Sequence, residues 1–269
     1  MILCSSQSLI DTLRVHIAPV GFEVDRIVLP AVRKKADRVW LLTEKPSHEE
    51  DKGSPYAKSI ARKLKESNID CQQASADRID LFDILRVLRT IIMHEKGNHL
   101  LVNVSVGSKI QAIASMMACM MFKDIATIRP YYVVPEKYNT ILLEEKRNQE
   151  TEGMKGMKDI ITLPEYKIEI PDEKLIECMY MISLHKDNKI TKRELKDLAL
   201  NENLIQVGKK DTQDKEERRD QAAYMALNKN LIEPLMEWKF ISVEKVGSRH
   251  IVSLTEEGIN ALRFLHESK

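Results

Sequence analysis

The chain is 269 residues long, and its 42 Lys and Arg residues nearly balance its 41 Asp and Glu residues. A protein that binds nucleic acid through bulk positive charge is therefore excluded, although a local basic patch is not. Hydrophobic residues make up 43% of the sequence, which is enough to build a core. No apolar run approaches the ~18 residues that a membrane span needs.

The four cysteines, at positions 4, 71, 119 and 178, lie far apart and form no CxxC pair. This spacing argues against a zinc ribbon, a thioredoxin-type motif and a disulfide framework. The first residues carry neither a positively charged region nor an apolar run long enough for a signal peptide. We therefore expect an intracellular, cytoplasmic protein with reduced thiols.

The first part of the chain alternates short β-like runs with helical patterns. Strands are predicted at 15–18, 38–43, 69–72, 100–104 and 131–134, and helices at 23–35, 55–67, 80–95 and 108–122. Strands that alternate with helices predict an α/β fold, a Rossmann-like parallel sheet with helices on both faces. Pro30 lies inside the apolar pattern of the first helix and is predicted to kink or split it.

The chain changes character after the fifth predicted strand. Residues 136–171 are rich in Lys, Glu and Asn and contain two glycines and two prolines. We interpret this segment as a connector. The Rossmann-like domain then covers 1–135, and a second domain covers 172–269.

The second domain has the element order of an α+β winged helix-turn-helix domain. Helices are predicted at 172–185, 192–200, 217–238 and 256–267, and a β-hairpin at 240–254. Thr191 and Glu194 form a capping box for the second helix. The polar segment 201–217 has no apolar period and is longer than the usual turn of this motif.

One segment of the first domain, Asn103-Val104-Ser105-Val106-Gly107-Ser108-Lys109, has the features of an anion site. An apolar strand runs into Ser and Gly, and a helix begins at about Ser108. The free N–H groups and the dipole at a helix N-terminus favour a phosphate or another anion. The strand at 15–18 ends in a similar loop, Pro19-Val20-Gly21-Phe22. If the two strands are neighbours, their loops form one crevice.

A simpler interpretation of this segment is that Gly107 makes only a turn and Ser108 only caps a helix. Other chemical signals are weak. The sequence contains no GxGxxG, Walker, HExxH or GxSxG pattern, which disfavours dinucleotide oxidoreductases and P-loop NTPases. Arg89 and His94 match an R-x4-H spacing found in some ribonucleases, but they lie in an amphipathic helix. We assign no catalytic residue, no metal ligand and no cofactor.

The helix at 217–238 is the expected recognition helix, because the second helix of a helix-turn-helix enters the major groove. Leu227, Leu231 and Leu235, four residues apart, are predicted to form its core stripe. Its predicted DNA-binding side chains are Arg218, Arg219, Gln221, Tyr224, Asn228 and Lys229, and the hairpin adds Lys245, Arg249 and His250. Arg and Gln suit base edges, and Lys suits phosphates. Glu216, Glu217 and Asp220 count against tight binding, and the alternative is a solvated helix in a protein–protein module.

Together, the two halves resemble archaeal transcriptional regulators that join a CARF (CRISPR-associated Rossmann fold) domain to a winged helix-turn-helix domain. The resemblance is carried by 15–22, by 103–109 and by the terminal winged helix with its Leu254-Thr255-Glu256-Glu257-Gly258 segment. It implies a homodimer that binds a cyclic oligoadenylate across a two-fold axis. By the matching motifs, the ligand-binding residues are Val20, Gly21, Phe22, Asn103, Ser105, Val106, Gly107, Ser108 and Lys109.

The resulting hypothesis is a ligand-responsive regulator whose partners are double-stranded DNA, a small nucleotide and a second copy of the chain, with no membrane contact. Ligand binding would shift the two winged helices, which requires different ligand affinities in two states. The alternative is an enzyme, a CARF-type ring nuclease that degrades cyclic oligoadenylate and uses the winged helix for dimerisation. An interaction protein with neither ligand nor DNA is a third possibility.

Overall fold

The chain forms two compact units. The computed structural model describes residues 12–45, 53–138, 154–207 and 215–266. The division between the two units falls between Ile168 and Glu169. Among the helices in these ranges, none is both long and apolar enough to cross a membrane.

The first unit is built on a six-stranded sheet. Within the described residues, the strands of this unit are β1 (Arg14–Pro19), β2 (Arg38–Glu44), β3 (Asp70–Ala76), β4 (His99–Asn103), β5 (Thr127–Val134), β6 (Lys137–Tyr138), β7 (Met154–Lys155) and β8 (Asp159–Thr162). The sheet order is β3–β2–β1–β4–β5–β8, and β6 pairs separately with β7. The first five strands are parallel and β8 is antiparallel to β5. The strand order reverses between β1 and β4, which creates a switch point.

Four helices connect the parallel strands. They are α1 (Asp25–Arg33), α2 (Ser54–Glu66), α3 (Leu81–His94) and α4 (Lys109–Met121). Helix α1 packs with α2, and α3 packs with α4. Ala18 and Val39 from the sheet join Ile27 and Ile60 from the helices in one buried cluster. The predicted Rossmann-like fold is confirmed.

Of the two outcomes predicted at Pro30, a kink or a split, the split does not occur. Helix α1 runs unbroken from Asp25 to Arg33 with Pro30 inside it. A proline has no N–H to donate, so the carbonyl of Arg26 lacks its partner four residues on. The side-chain amide of Asn103 donates to that carbonyl at 2.9 Å. A residue from β4 thus supplies the hydrogen bond that Pro30 withholds.

The segment interpreted as a connector contributes to the first unit. Within 136–171, β8 adds to the edge of the sheet with Tyr132 opposite Ile161. The compact unit continues to Ile168, and not to 135. Strand β8 was not predicted, because it is a four-residue edge strand with three of its side chains exposed.

The second unit is a winged helix domain. Its elements are α5 (Glu173–Ser183), β9 (Lys189–Thr191), α6 (Lys192–Asn201), α7 (Lys215–Leu227), α8 (Glu233–Glu237), β10 (Ile241–Val246), β11 (Arg249–Leu254) and α9 (Glu256–Leu265). A π-helical turn over Asn228–Ile232 joins α7 to α8. The sheet order is β10–β11–β9. The short strand β9 is an addition to the predicted elements, and 208–214 lies outside the described residues.

Two local predictions in this unit are confirmed. Thr191 Oγ1 accepts a hydrogen bond from Glu194 N at 3.2 Å, and Glu194 Oε2 accepts one from Thr191 N at 3.1 Å, which completes the capping box. Leu227, Leu231 and Leu235 are fully buried in the core of the unit. The stripe of leucines therefore fixes which face of the long helix points outward.

Candidate functional site

A cavity of about 450 Å³ lies at the carboxyl edge of the parallel sheet in the first unit. The sequence predicted that the loops after β1 and β4 form one crevice if the two strands are neighbours. The strands are hydrogen-bonded neighbours, and their loops form one crevice. Its lining residues are Val20, Gly21, Phe22, Glu23, Arg26, Thr43, Glu44, Gly53, Arg78, Ser105, Gly107, Ser108, Gln111 and Met154. The structure therefore brings six of the nine predicted ligand-binding residues together.

Two glycines allow the loops after β1 and β4 to touch. A Cβ atom at Gly21 would lie 3.0 Å from the backbone nitrogen of Gly107. Gly107 has φ +82°, and a Cβ there would lie 2.6 Å from Pro19 Cβ and 2.7 Å from Gln111 Oε1. Glycine is required at 107 for both conformation and space. Backbone groups consequently line this part of the cavity.

Helix α4 begins at the cavity with a capping box. Ser108 Oγ accepts from Gln111 N at 3.1 Å, and Gln111 Oε1 accepts from Ser108 N at 2.8 Å. This box satisfies two of the four N–H groups that a helix start leaves unpaired. The amides of Lys109 and Ile110 remain as donors at the positive end of the helix dipole. The cap and an anion site are therefore compatible.

The other three predicted ligand residues lie outside the cavity lining. Asn103 is 0% exposed, and its carboxamide oxygen accepts from Ser105 N at 3.0 Å and from the Ser105 hydroxyl. With its bond to Arg26, Asn103 positions the loop from below. Val106 is buried in the core, and Lys109 is exposed but absent from the lining.

The charged side chains of the cavity are paired with one another. Arg26 is 1% exposed, forms an ion pair with Glu23 at 2.7 Å and donates to the carbonyl of Val133 at 2.7 Å. Arg78 forms an ion pair with Glu44. The two arginines and two glutamates leave the lining with no net side-chain charge. Attraction for an anion would therefore come mainly from the backbone of the loops and of α4.

Sequence reasoning missed the contribution of β2 and β3. Thr43 and Glu44 end β2, and Arg78 is the second residue after β3. The rule that ligands bind at the carboxyl ends of parallel strands pointed to these positions as well. The prediction applied that rule only to β1 and β4, whose loops contain glycine.

A second buried polar group lies deeper in the first unit. His16 is 1% exposed, and its Nδ1 lies 3.0 Å from the hydroxyl of Tyr131. Its Nε2 has no hydrogen-bond partner in the structure. Burial lowers the pKa of His16 to about 4, and the positive charges of Lys34 and Arg14 act in the same direction. The imidazole is therefore neutral at neutral pH.

In the second unit, the predicted DNA-binding side chains lie on α7, on the π-helical turn and on the β10–β11 hairpin. Arg218, Arg219, Gln221, Lys229, Lys245, Arg249 and His250 are exposed, and Tyr224 and Asn228 are half-buried. This arrangement leaves most of the predicted side chains accessible to a partner.

The ring of the half-buried Tyr224 lies beside an ion pair. Lys196 Nζ lies 4.8 Å from the centre of the Tyr224 ring and forms an ion pair with Asp220. Burial disfavours the charged form of Lys196, but hydrogen bonds to Asp220 and Asp197 outweigh burial and raise its pKa. Asp220 is therefore engaged within the domain, which reduces its opposition to a polyanion.

A groove of about 740 Å³ separates α6 from the hairpin turn. It is lined by Thr191, Lys192, Arg193, Glu194, Asp197, Tyr224, Ser248, Arg249 and His250. Lys192 and Arg193 add positive charge from a helix that the sequence analysis did not include in the interface. In the described ranges, no cluster of His, Cys, Asp and Glu is arranged to hold a metal ion.

The fold and the two sites define a Rossmann-like α/β domain followed by a winged helix domain. Residues 14–138 match the family model described as HFX_2341_N:-like, N-terminal. Residues 174–266 match the model of the DUF6293 C-terminal winged helix domain. The second match supports the assignment of 174–266 to a winged helix domain.

The chain is also similar to the uncharacterized protein MJ1513 of Methanocaldococcus jannaschii. The two are 30% identical over 211 residues, which cover 71% of this chain and 62% of that protein. The chain thus spans less than two thirds of the length of this relative.

Two solved structures are similar over much of the chain. Can2 from Sulfobacillus thermosulfidooxidans, in complex with cyclic tetra-adenylate, aligns with a TM-score of 0.39 and 11% identity, covering 93% of this chain and 63% of the Can2 chain. Csm6 from Enterococcus italicus, bound to cyclic hexa-2′-fluoro-hexa-dAMP, aligns with a TM-score of 0.40 and 12% identity. It covers 86% of this chain and 57% of the Csm6 chain.

Proposed function

We propose that the protein is a ligand-responsive DNA-binding regulator that acts as a homodimer. Its first unit binds a cyclic oligoadenylate or a related nucleotide, and its winged helix domain binds double-stranded DNA. The observation that carries this proposal is the cavity at the switch point, where Gly21, Gly107 and the start of α4 meet. Backbone N–H groups and a helix dipole at such an edge suit the phosphates of a nucleotide.

The ligand class comes from the resemblance of the loops at 15–22 and 103–109 to CARF domains. A cyclic oligoadenylate contains several phosphates linked in a ring with internal symmetry. A ring of this kind fits a site shared by two copies of the chain related by a two-fold axis. The stoichiometry follows directly, because such a site binds one ring per two chains.

The DNA-binding part is supported by the surface of the winged helix domain. Arg218, Arg219 and Gln221 are exposed on α7, which occupies the position of the recognition helix. Arg249 and His250 are exposed where the hairpin would reach the flanking backbone. The nearly neutral chain has no general attraction for DNA, so affinity would depend on these local cations.

Regulation requires that the ligand distinguish two states of the dimer. A ring that binds one arrangement more tightly shifts the population toward it by no more than the difference in affinity. The arrangement of the winged helices then sets the spacing of the two DNA half-sites.

The ligand arm of the test is isothermal titration of the protein with cyclic tetra-adenylate and cyclic hexa-adenylate. We expect binding of one ring per two chains. Ser105→Tyr should abolish it by filling the cavity, whereas Ser67→Tyr, at the exposed end of α2, should not. Absence of binding to either ring by a folded dimer would overturn the ligand assignment. Chromatography of the ring after incubation would reveal cleavage, which would support the ring nuclease instead.

The DNA arm measures binding of a short random-sequence duplex as a function of salt. On a random-sequence duplex, Arg218 and Arg219 have no specific base to read and contact phosphates instead. Arg218→Ala/Arg219→Ala should therefore make the slope of log affinity against log salt less steep by about 2, since each phosphate contact contributes about 0.9. Lys58→Ala/Lys65→Ala removes two exposed cations from α2 of the first unit and should leave the slope unchanged. Equal slopes for both double variants and the wild type would contradict the proposed face.

A further inference from the structure

Among the charged groups of the cavity, Glu44 has no role in the proposed binding of phosphates by the loop backbone and the start of α4. It is the last residue of β2, the strand next to β1, and it lies 23 positions after Gly21. In Rossmann-type sheets, an acidic residue about 20 positions beyond the glycine loop accepts a hydrogen bond from a ribose hydroxyl. Glu44 occupies the equivalent place although the chain lacks the dinucleotide-binding motif.

The carboxylate of Glu44 is held in one orientation by Arg78. The Arg78 guanidinium Nε donates to Glu44 Oε2, and the Arg78 backbone N–H donates to Oε1 at 3.3 Å. The Glu44 side chain is only 16% exposed. A carboxylate oxygen can accept two hydrogen bonds, so each oxygen keeps capacity for a donor in the cavity.

An ionised carboxylate accepts hydrogen bonds and repels phosphate. The ligand group that faces it must therefore be a neutral donor. Arg78 offsets the negative charge of Glu44, which keeps that charge from excluding an anionic ligand nearby. A nucleotide provides two kinds of neutral donor, the ribose hydroxyl and the exocyclic amine of adenine. The position at the end of β2 favours the ribose.

We propose that Glu44, positioned by Arg78, accepts a hydrogen bond from a ribose 2′-hydroxyl and makes the cavity selective for ribonucleotides over deoxyribonucleotides. This inference rests on the proposed function, because it names the part of the same ligand that the site recognises. Glu44 is a specificity residue, and Arg78 is a positioning residue.

The test compares the affinities of 3′,5′-linked cyclic tetra-adenylate, its 2′-deoxy counterpart and the corresponding inosine ring. Wild-type protein should bind the ribose ring at least about tenfold more tightly than the deoxy ring, the usual effect of a hydrogen bond to a charged acceptor. Glu44→Gln should bring this ratio close to one. Glu66→Gln, on the exposed surface of α2, makes the same chemical change outside the cavity and should keep the wild-type ratio.

The outcomes separate the inference from the function on which it rests. If wild-type protein binds no ring, the proposed function and the inference both fail. If it binds ribose and deoxy rings equally, the inference fails and the proposed function stands. Selectivity that persists in Glu44→Gln would remove Glu44 from the explanation. A further outcome is that the wild type binds the ribose and deoxy rings equally but the inosine ring more weakly, and that Glu44→Gln removes that difference. This result would show that the carboxylate recognises the base and not the ribose. The affinities of the wild-type protein for the three rings already test the inference, so the test does not depend on the folding of the variant.

Discussion

The polar side chains behind the cavity and those on the candidate DNA face are placed in opposite ways. In the first unit, Asn103 and Arg26 are almost completely buried and each bonds to backbone groups of another element. In the second unit, Arg218, Arg219 and Arg249 are exposed on the candidate DNA face. The first arrangement preorganises a small cavity, whereas the second leaves long side chains free to adapt to a large polyanion.

This difference predicts different responses to substitution. Loss of one partner from a buried hydrogen bond costs about 1–3 kcal/mol, so variants around the cavity should affect stability and ligand binding together. Exposed side chains away from special features change stability by about 0.5 kcal/mol or less. Variants on the DNA face should therefore affect binding and its salt dependence almost alone. The stability of the winged helix domain should depend on its core and on close backbone contacts.

The largest expected effect on stability is at Gly258, where a close backbone contact stabilises the winged helix domain. A Cβ at this position would overlap the carbonyl oxygen of Phe240. That carbonyl accepts a hydrogen bond from Thr255 N at 3.0 Å, so the first turn of α9 rests directly on the chain before β10. Gly258→Ala should destabilise the second unit by about 3 kcal/mol or more, the cost of overpacking a site that cannot move. Hydrogen exchange measured separately over 169–266 would detect the change.

Gly247→Ala is the matched control in the same domain. Gly247 has φ +62° in the hairpin turn, but nothing lies within 4 Å of an added Cβ. The substitution should cost only the strain of a left-handed residue, about 1–2 kcal/mol. Equal effects of the two substitutions would show that the Phe240 contact does not determine the stability of the domain. The contact also gives a physical reason for the glycine in the Leu254–Gly258 segment, which the sequence offered only as a resemblance.

The sequence predicted the elements that repeat a strong local pattern. The five parallel strands, their helices and the leucine stripe of the second unit follow from apolar spacing. The pattern did not predict β8 or β9, since these strands of four and three residues are stabilised by pairing with a neighbouring strand. The sequence allowed a split at Pro30 that does not occur, because local rules do not include the hydrogen bond that Asn103 donates from β4.

The candidate site was predicted where glycine marks a loop and missed where it does not. Gly21 and Gly107 signal close approach of the backbone, and both line the cavity. Glu44 and Arg78 have ordinary neighbours in the sequence, and only the strand order brings them to the same edge. Asn103 fits the ligand motif, but its side-chain amide donates to the carbonyl of Arg26. Sequence alone could not reveal this structural contact.

His16 provides the next effect, a pH dependence of the first unit. Its pKa is about 4 when folded and 6.5 in the unfolded chain, so the unfolded state binds the proton first as the pH falls. The contribution of neutral His16 to the free energy of unfolding is therefore complete above about pH 6.5. It is lost as the pH falls from 6.5 to 4, and the total loss is about 3 kcal/mol. Urea unfolding between pH 7 and 5, followed by Trp40 fluorescence in a Trp238→Phe background, would measure it.

The control for this prediction is His16→Gln, which keeps a polar side chain beside Tyr131 but does not titrate. Its free energy of unfolding should change little between pH 7 and 5, while that of the wild type falls. The pKa values of Asp37, Asp70, Asp83 and Glu95 are lowered in the folded state. Their contributions are lost mainly below their unfolded pKa values near 4, outside this window. Parallel curves for wild type and His16→Gln would assign the pH dependence elsewhere.

Asn103 is expected to give the smallest of the three effects and separates a structural role from a ligand-binding role. Asn103→Ala leaves the carbonyl of Arg26 without a partner and should lower the free energy of unfolding by about 2 kcal/mol. In the Pro30→Ala background, residue 30 regains an N–H that can donate to the same carbonyl, so the loss should be smaller. A double-mutant cycle measures this coupling. Identical losses in both backgrounds would mean that Asn103 acts through its other partners, Ser105 and Tyr131, and that the proline in α1 needs no hydrogen bond from β4.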